Sequence, residues 1–428
     1  MTKPNVGDEV EAVIKGETIK GLLLQSQDKG IVTIKLKSGY NYSASENNVT
    51  SLKFVSKPEE KKAKTPHLSK KSGLKSVSIL HTGGTVASSV DYATGAVSAK
   101  FSPDDLLSMF PELRGLANIN SRLVRNMASD DMRFAHYNLL ADEIKKEIHD
   151  GCDGIIITHG TDTMHYTAAA LSFILEHLPV PVIIVGSQRS SDRGSTDAAL
   201  NLKTAVNFIT HSDFAEVAIC MHGSTNDDKC LIFPGTKTRK MHSSRRDAFK
   251  AINCQPYAEI NNDHLTFFRK DYSIVDKSKQ VILRKIKEDL KIGILKSHPN
   301  MFASELKAYE NFDGLILEGT GLGHMPITEI DEFTKENNKI FTELKSLAKK
   351  IPIVMTTQTI YGRVNLNVYS PGRQLQDIGV LGNQLDLTPE TAFIKLAWLL
   401  SNHPKSVSSM ISENMHGEIS ERIGLEFE

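Results

Sequence analysis

Apolar residues along the chain follow three different rhythms. At the N-terminus they form short runs: Val10, Val13 and Ile14, then Ile19 to Leu24, then Ile31 to Leu36. Gly16, Asp28-Lys29-Gly30 and Ser38-Gly39 interrupt these runs. Short apolar runs separated by turn residues predict strands joined by tight turns, and here a small β-barrel over residues 1–56. Residues 57–75 are Lys-rich and polar, with Pro58 and Pro66, and read as a basic linker.

From Lys75 the rhythm becomes strand, loop, helix. Val77 to Leu80, Gly154 to Thr158, Val180 to Val185 and Ala215 to Met221 are continuous apolar runs that predict buried strands. Between them Asp105 to Leu113, Arg133 to Ile148, Thr163 to His177 and Ser195 to Thr210 predict helices, with Asp197 near the positive end of the last. The alternation implies a mostly parallel sheet covered on both faces, with ligands bound beyond the carboxyl ends of its strands. After an irregular stretch from Asn226 to Glu288, the pattern restarts with Leu290 to Leu295, Phe312 to Leu317 and Ile351 to Met355. The expected organisation is a larger α/β domain at 76–288 and a smaller one at 289–428, behind the barrel.

Composition narrows the function classes. Lysine plus arginine and aspartate plus glutamate both number 51, so no global positive field marks a nucleic-acid binder. No apolar run approaches the roughly 20 residues a bilayer span needs, and residues 1–10 lack a signal-type segment; a cytoplasmic protein is expected. Cys152, Cys220, Cys230 and Cys254 show no CxxC pairing and read as reduced thiols. His81, His159, His165 and His242 lack zinc-type spacing, and no GxxxxGK[ST] phosphate loop is present.

Chemistry concentrates in loops that follow strands. His81-Thr82-Gly83-Gly84-Thr85 and Thr158-His159-Gly160-Thr161-Asp162 each offer glycine and threonine at a strand end. Lys240 lies in a non-helical stretch, Thr236 to His242. Taken alone, Asp162 reads as a helix N-cap and Lys240 as a surface lysine. Together they suit metal-free amide hydrolysis. Threonine needs a base to become a nucleophile, lysine can be that base, aspartate orients the ammonium, and loop amides stabilise the oxyanion.

Thr82-Gly83-Gly84-Thr85-Val86-Ala87 and His159-Gly160-Thr161-Asp162-Thr163 resemble the two threonine motifs of the bacterial-type asparaginase and glutaminase family. Asn126 to Met132 resembles its substrate-carboxylate loop, and Asp247-Ala248-Phe249 the segment after its catalytic lysine. The extra N-terminal region, together with Ser187 to Leu202 and Arg239 to Phe249, resembles one subfamily, the D subunits of archaeal glutamyl-tRNA(Gln) amidotransferases. The resemblance implies an asparaginase-like two-domain α/β core and hydrolysis of glutamine to glutamate and ammonia. It implies a partner E subunit that uses ATP and Mg to convert Glu-tRNA(Gln), with no cofactor in this chain. It also implies a homodimer core within a heterotetramer.

By the same resemblance Thr85 is the nucleophile, supported by Thr161, Asp162 and Lys240, with the order of the two threonines open. Tyr92 and Gly84 line the substrate, Ser129 binds its α-carboxylate, and Asp130 with Asp162 meets its α-ammonium; Ser129 and Asp130 read otherwise as a polar turn. Gly319 to His324 and Arg363-Val364 correspond to parts of a wall that a neighbouring subunit completes, with His324 where the family often has asparagine. Two other readings remain: a free-standing cytoplasmic asparaginase with an accessory barrel, and a non-catalytic scaffold that docks tRNA or a subunit through residues 1–75.

Overall fold

The computed structural model describes residues 4–24, 26, 30–36, 41–57, 71–84, 86, 88–90, 97–99, 106, 107, 109–189 and 196–423. The first five strands are β1 (Glu9–Ile14), β2 (Glu17–Leu24), β3 (Ile31–Leu36), β4 (Asn41–Ser45) and β5 (Val49–Ser56). They form one antiparallel sheet in the order β4-β3-β2-β1-β5, and Val10, Ala12, Ile14, Leu23 and Ile34 make its core. The expected barrel is thus met by a five-stranded sheet; among the described residues its outer strands, β4 and β5, do not pair, so the sheet is not closed. Alternation along β1 gives the sheet one buried face, and a sheet can pack such a face without closing.

The chain continues with β6 (Ser76–His81), the hairpin β7 (Ser88–Val90) and β8 (Val97–Ala99), and β9 (Asn118–Leu123). Helix α1 (Phe134–His149) leads to β10 (Gly154–Thr158), α2 (Met164–Ile174), β11 (Leu175–Glu176) and β12 (Val182–Val185). Helix α3 (Ala198–His211) precedes β13 (Val217–His222), β14 (Lys229–Pro234), β15 (Thr238–Lys240), β16 (Phe249–Ala251), β17 (Ala258–Asn261), β18 (His264–Phe267) and β19 (Ile282–Leu283). Eight strands share one sheet in the order β18-β17-β14-β13-β12-β10-β6-β9. From β9 to β13 the neighbours are parallel; from β13 to β18 they are antiparallel. Apart from the edge strand β9, the parallel strands are the continuous apolar runs, because sheets covered by helices on both faces need them.

Register decides where the loops emerge. Thr158 pairs with His81 on one side and Val185 on the other, so β6, β10 and β12 end level. Their following loops therefore leave the same edge side by side.

The C-terminal part holds β20 (Ile292–Lys296), α4 (Ala303–Lys307), β21 (Gly314–Gly319), α5 (Lys335–Ala348), β22 (Ile353–Thr357), α6 (Ser370–Asp377), α7 (Pro389–Asn402) and α8 (Val407–Met410). Strands β20, β21 and β22 form a parallel three-stranded sheet. Helix α7 begins with Pro389 and Glu390 behind an N-cap threonine, Thr388, whose hydroxyl accepts from the Thr391 amide. It packs against α2, with the Phe173 and Trp398 ring centroids 5.8 Å apart, in a core that runs unbroken from β10 through α2 to α7. Among the described residues no helix is long and apolar enough to cross a membrane. The four cysteines are free thiols.

Candidate active site

Three strand-end loops interlock at the level edge. The Thr82 amide and hydroxyl both donate to the Thr158 carbonyl, at 3.1 and 2.9 Å, and the Met127 amide donates to the Thr82 carbonyl at 3.1 Å. Gly83 and Gly84 have φ of 112° and 78°, the left-handed region that penalises a side chain. A Cβ on Gly83 would sit 2.3 Å from the Met127 carbonyl oxygen, and one on Gly84 2.8 Å from the Gly160 nitrogen. Ser129 presses on Gly160 from the other side, 2.9 Å from where its Cβ would stand. The Thr163 hydroxyl donates to the Ser129 carbonyl at 2.6 Å.

Two histidines brace these loops. His81 is fully buried, with Nδ1 2.7 Å from Thr158 Oγ1 and Nε2 2.9 Å from Ser121 Oγ. Burial pushes its pKa down to about 3. His159 Nδ1 donates to the Gly160 carbonyl at 2.7 Å, and its Nε2 accepts from the Thr167 hydroxyl at 2.8 Å. Burial is the main reason its pKa falls to about 4; the Gly160 carbonyl opposes the fall and His165 adds to it. Both rings are neutral structural posts at physiological pH.

Lys240 reaches the second threonine loop from β15, which pairs antiparallel with β16. Its Nζ donates to Thr161 Oγ1 at 2.9 Å and to Asp162 Oδ1 at 2.7 Å. The lysine side chain is 9% exposed and the aspartate 62% exposed. Thr161 is buried, as is Ser129, whereas Asp130 is exposed on the same short turn as Ser129. Asp162 is not the N-cap of α2: Thr163 holds that position, and Asp162 turns to the lysine. The structure thus brings Gly84, Ser129, Thr161, Asp162 and Lys240 to one edge. Thr85 and Tyr92 lie outside the described residues.

The segment carrying Lys240 is fastened from behind. Lys237 Nζ donates to Asp386 Oδ2 at 2.6 Å, and the Thr391 hydroxyl donates to the Thr236 carbonyl at 2.7 Å. Asp197, fully buried at the start of α3, does the same for the loop after β12. It accepts from Ser187 Oγ at 2.8 Å and from the Gln188 and Arg189 amides at 3.0 and 2.9 Å. Further away, His324 closes the Thr320–His324 turn and meets the Tyr369 ring edge-on at 5.4 Å, while Arg363 donates to the Ser420 carbonyl at 3.1 Å.

Three further residues border Lys240 and Asp162, and of these His165 and Glu390 lie in no stretch that the sequence marks for this chemistry. An open pocket beside Lys240 is walled by Asp162, His165, Tyr166, Arg239 and Glu390. Glu390 Oε1 lies 3.2 Å from Arg239 Nη2 and 3.8 Å from His165 Nε2. Burial pushes the Glu390 carboxyl up, but His165 and Arg239 outweigh it and hold it below the usual range, so it stays charged. Glu390 sits in an ordinary helix-start motif, Thr388-Pro389-Glu390, and only the fold brings it here.

The level strand ends, the paired threonine loops and the crossing lysine define a protein of the asparaginase and glutaminase class. The family model described as "Asparaginase, N-terminal" matches residues 76–273, and "Glutaminase/Asparaginase C-terminal domain" matches residues 291–410. Among solved structures, the thermostable L-asparaginase from Thermococcus kodakarensis superposes with a TM-score of 0.70 at 29% identity, over 81% of this chain and 99% of that one. L-asparaginase I from Vibrio cholerae gives 0.68 at 27%, again over 81% and 99%. Over nearly its whole length the chain is 45% identical to the D subunit of the glutamyl-tRNA(Gln) amidotransferase of Methanococcus maripaludis strain C5, covering 99% of this chain and 100% of that one. It is 42% identical to the D subunit of the T. kodakarensis amidotransferase, covering 97% and 94%. The chain belongs to the family of glutamyl-tRNA(Gln) amidotransferase D subunits.

Proposed function

We propose that this chain is the glutaminase subunit of a tRNA-dependent amidotransferase. It hydrolyses glutamine and delivers ammonia to a partner E subunit, which uses ATP and Mg to convert Glu-tRNA(Gln) to Gln-tRNA(Gln). The observation that carries this reading is the full-length match to proteins named as D subunits. It includes the N-terminal region that lies ahead of the asparaginase family models. On this reading the N-terminal sheet curls toward a small barrel that docks the partner or tRNA. The chain divides as 1–56, 57–75, 76–288 and 289–428, and two copies form the core of a cytoplasmic heterotetramer.

Thr85 Oγ attacks the side-chain carbonyl carbon of glutamine. The tetrahedral intermediate collapses, its C–N bond breaks, and nitrogen leaves as ammonia with the proton it receives. Water then cleaves the acyl-threonine ester and frees glutamate. Thr161 and Lys240, 2.9 Å apart, relay the proton, and Asp162 orients the lysine. Ser129 takes the substrate α-carboxylate, Asp130 and Asp162 its α-ammonium, and Tyr92 and the Gly84 backbone line the side chain.

Ammonia release from glutamine, measured with and without partner and charged tRNA, tests this. Release that rises on adding both supports it. Fast asparagine hydrolysis by the chain alone, insensitive to either addition, overturns it and favours the free-standing asparaginase that the structural neighbours represent.

A further inference from the structure

We infer that Glu390, carried by the C-terminal helix α7, is a positioning residue for Lys240, Thr161 and Asp162, acting through Arg239 and His165. The inference rests on the catalytic reading of those three residues. Both arms of the group converge on this one carboxylate. Arg239 is the residue before Lys240 on β15, and its guanidinium lies 3.2 Å from Glu390 Oε1. His165 is in the first turn of α2, just after the Thr161–Asp162 loop, and its Nε2 lies 3.8 Å from the same oxygen. Glu390 is only 5% exposed.

A buried carboxylate set between a guanidinium and an imidazole is costly to desolvate, and apolar side chains of similar volume often stabilise as well or better. Helix α7 is already fixed to this region by Thr391 on the Thr236 carbonyl and by the apolar core it shares with α2. What Glu390 adds is directional. It ties the strand that presents the lysine to the helix that follows the threonine and aspartate loop, and it puts negative charge on the wall of the pocket Lys240 lines. The charged and titratable groups facing it are His165 and Tyr166 from α2, Arg239 from β15 and Glu318 from β21.

The test is steady-state glutamine hydrolysis by the full chain assembled with its partner, comparing Glu390→Gln, Arg239→Gln, the double variant and Lys240→Ala. Glu390→Gln keeps the shape and removes the charge. Its kcat is expected to fall about 10- to 100-fold with KM changed less than about threefold, since a small misplacement of reacting groups costs that much. The Arg239→Gln protein should show the same split, and the double variant should be no worse than either single one, because both remove one linkage. The basic limb of the kcat–pH profile should also move in Glu390→Gln. Unchanged kcat and pH profile, with or without a lower melting temperature, would leave Glu390 a packing residue and overturn the inference; so would fully additive losses. Lys240→Ala separates the two levels. If it is inactive while Glu390→Gln is normal, only this inference falls; if it is fully active, the catalytic reading falls with it.

Discussion

Lys237 and Asp386 meet at 2.6 Å with only 3% and 0% of their side chains exposed, and they join the strand segment that bears Lys240 to the C-terminal part of the chain. Asp386 also accepts from the Ser420 amide at 3.0 Å. Breaking a buried ion pair by removing one partner strands the other charge. Lys237→Met is expected to cost about 3–5 kcal/mol in urea unfolding, and Lys237→Met combined with Asp386→Leu to recover much of it. A single-variant cost below about 1 kcal/mol would contradict this account of the pair.

The Lys240–Asp162 contact is of another kind. Asp162 is 62% exposed, so water screens the pair and it contributes little to stability. Lys240→Ala and Thr161→Ala are expected to unfold within about 1 kcal/mol of the parent protein while glutamine hydrolysis falls about 10²–10⁴-fold. Lys240→Arg should not restore activity, because a guanidinium does not give up its proton. Calorimetry and an ammonia assay on the same preparations separate the two effects.

Backbone packing at Gly84 gives a paired comparison with Gly151. Both have positive φ, 78° and 86°, but a Cβ at Gly151 meets nothing within 4 Å. Gly151→Ala should therefore lose only the conformational preference, about 1–2 kcal/mol. Gly84→Ala should lose clearly more and abolish activity, since its Cβ would strike the Gly160 backbone at 2.8 Å. Equal melting temperatures for the two variants would contradict the close approach.

Buried neutral histidines set an acid limit. The pKa values of His81 and His159 fall from 6.5 to about 3 and about 4 on folding. Below pH 6.5 the unfolded chain binds protons that the folded chain refuses. The stability these residues lend is complete above that pH and is lost as pH falls toward 4 and then 3. Urea midpoints measured from pH 7.5 down to 4 should decline, and His159→Gln should flatten part of the decline.

Sequence legibility followed how local each feature is. Strands β6, β10, β12 and β13 stand out because burial on both faces demands an unbroken apolar run. Strand β9, Asn-Ile-Asn-Ser-Arg-Leu, is an edge strand of mixed polarity and gives no such signal. The N-terminal strands were readable, but closure into a barrel depends on pairing between β4 and β5, which local pattern does not encode. Thr161 and Asp162 sit in a compact motif beside a strand end. Asp162 in isolation looks like a cap, and its turn toward Lys240 is a long-range contact. Arg239, His165 and Glu390 come from three distant segments with no motif in common, so only the fold assembles them.

Where Gly83, Gly84 and Gly160 meet, the site is walled by main chain touching main chain and the Ser129 side chain. At Gly83 and Gly84 such a wall has no adjustable parts, because an added methyl displaces the backbone behind it. The pocket beside Lys240 differs in kind, because Met241 and His242 contribute side chains to its lining. The glycine wall is a fixed template, and the pocket lined by side chains is where variants of altered preference should be sought.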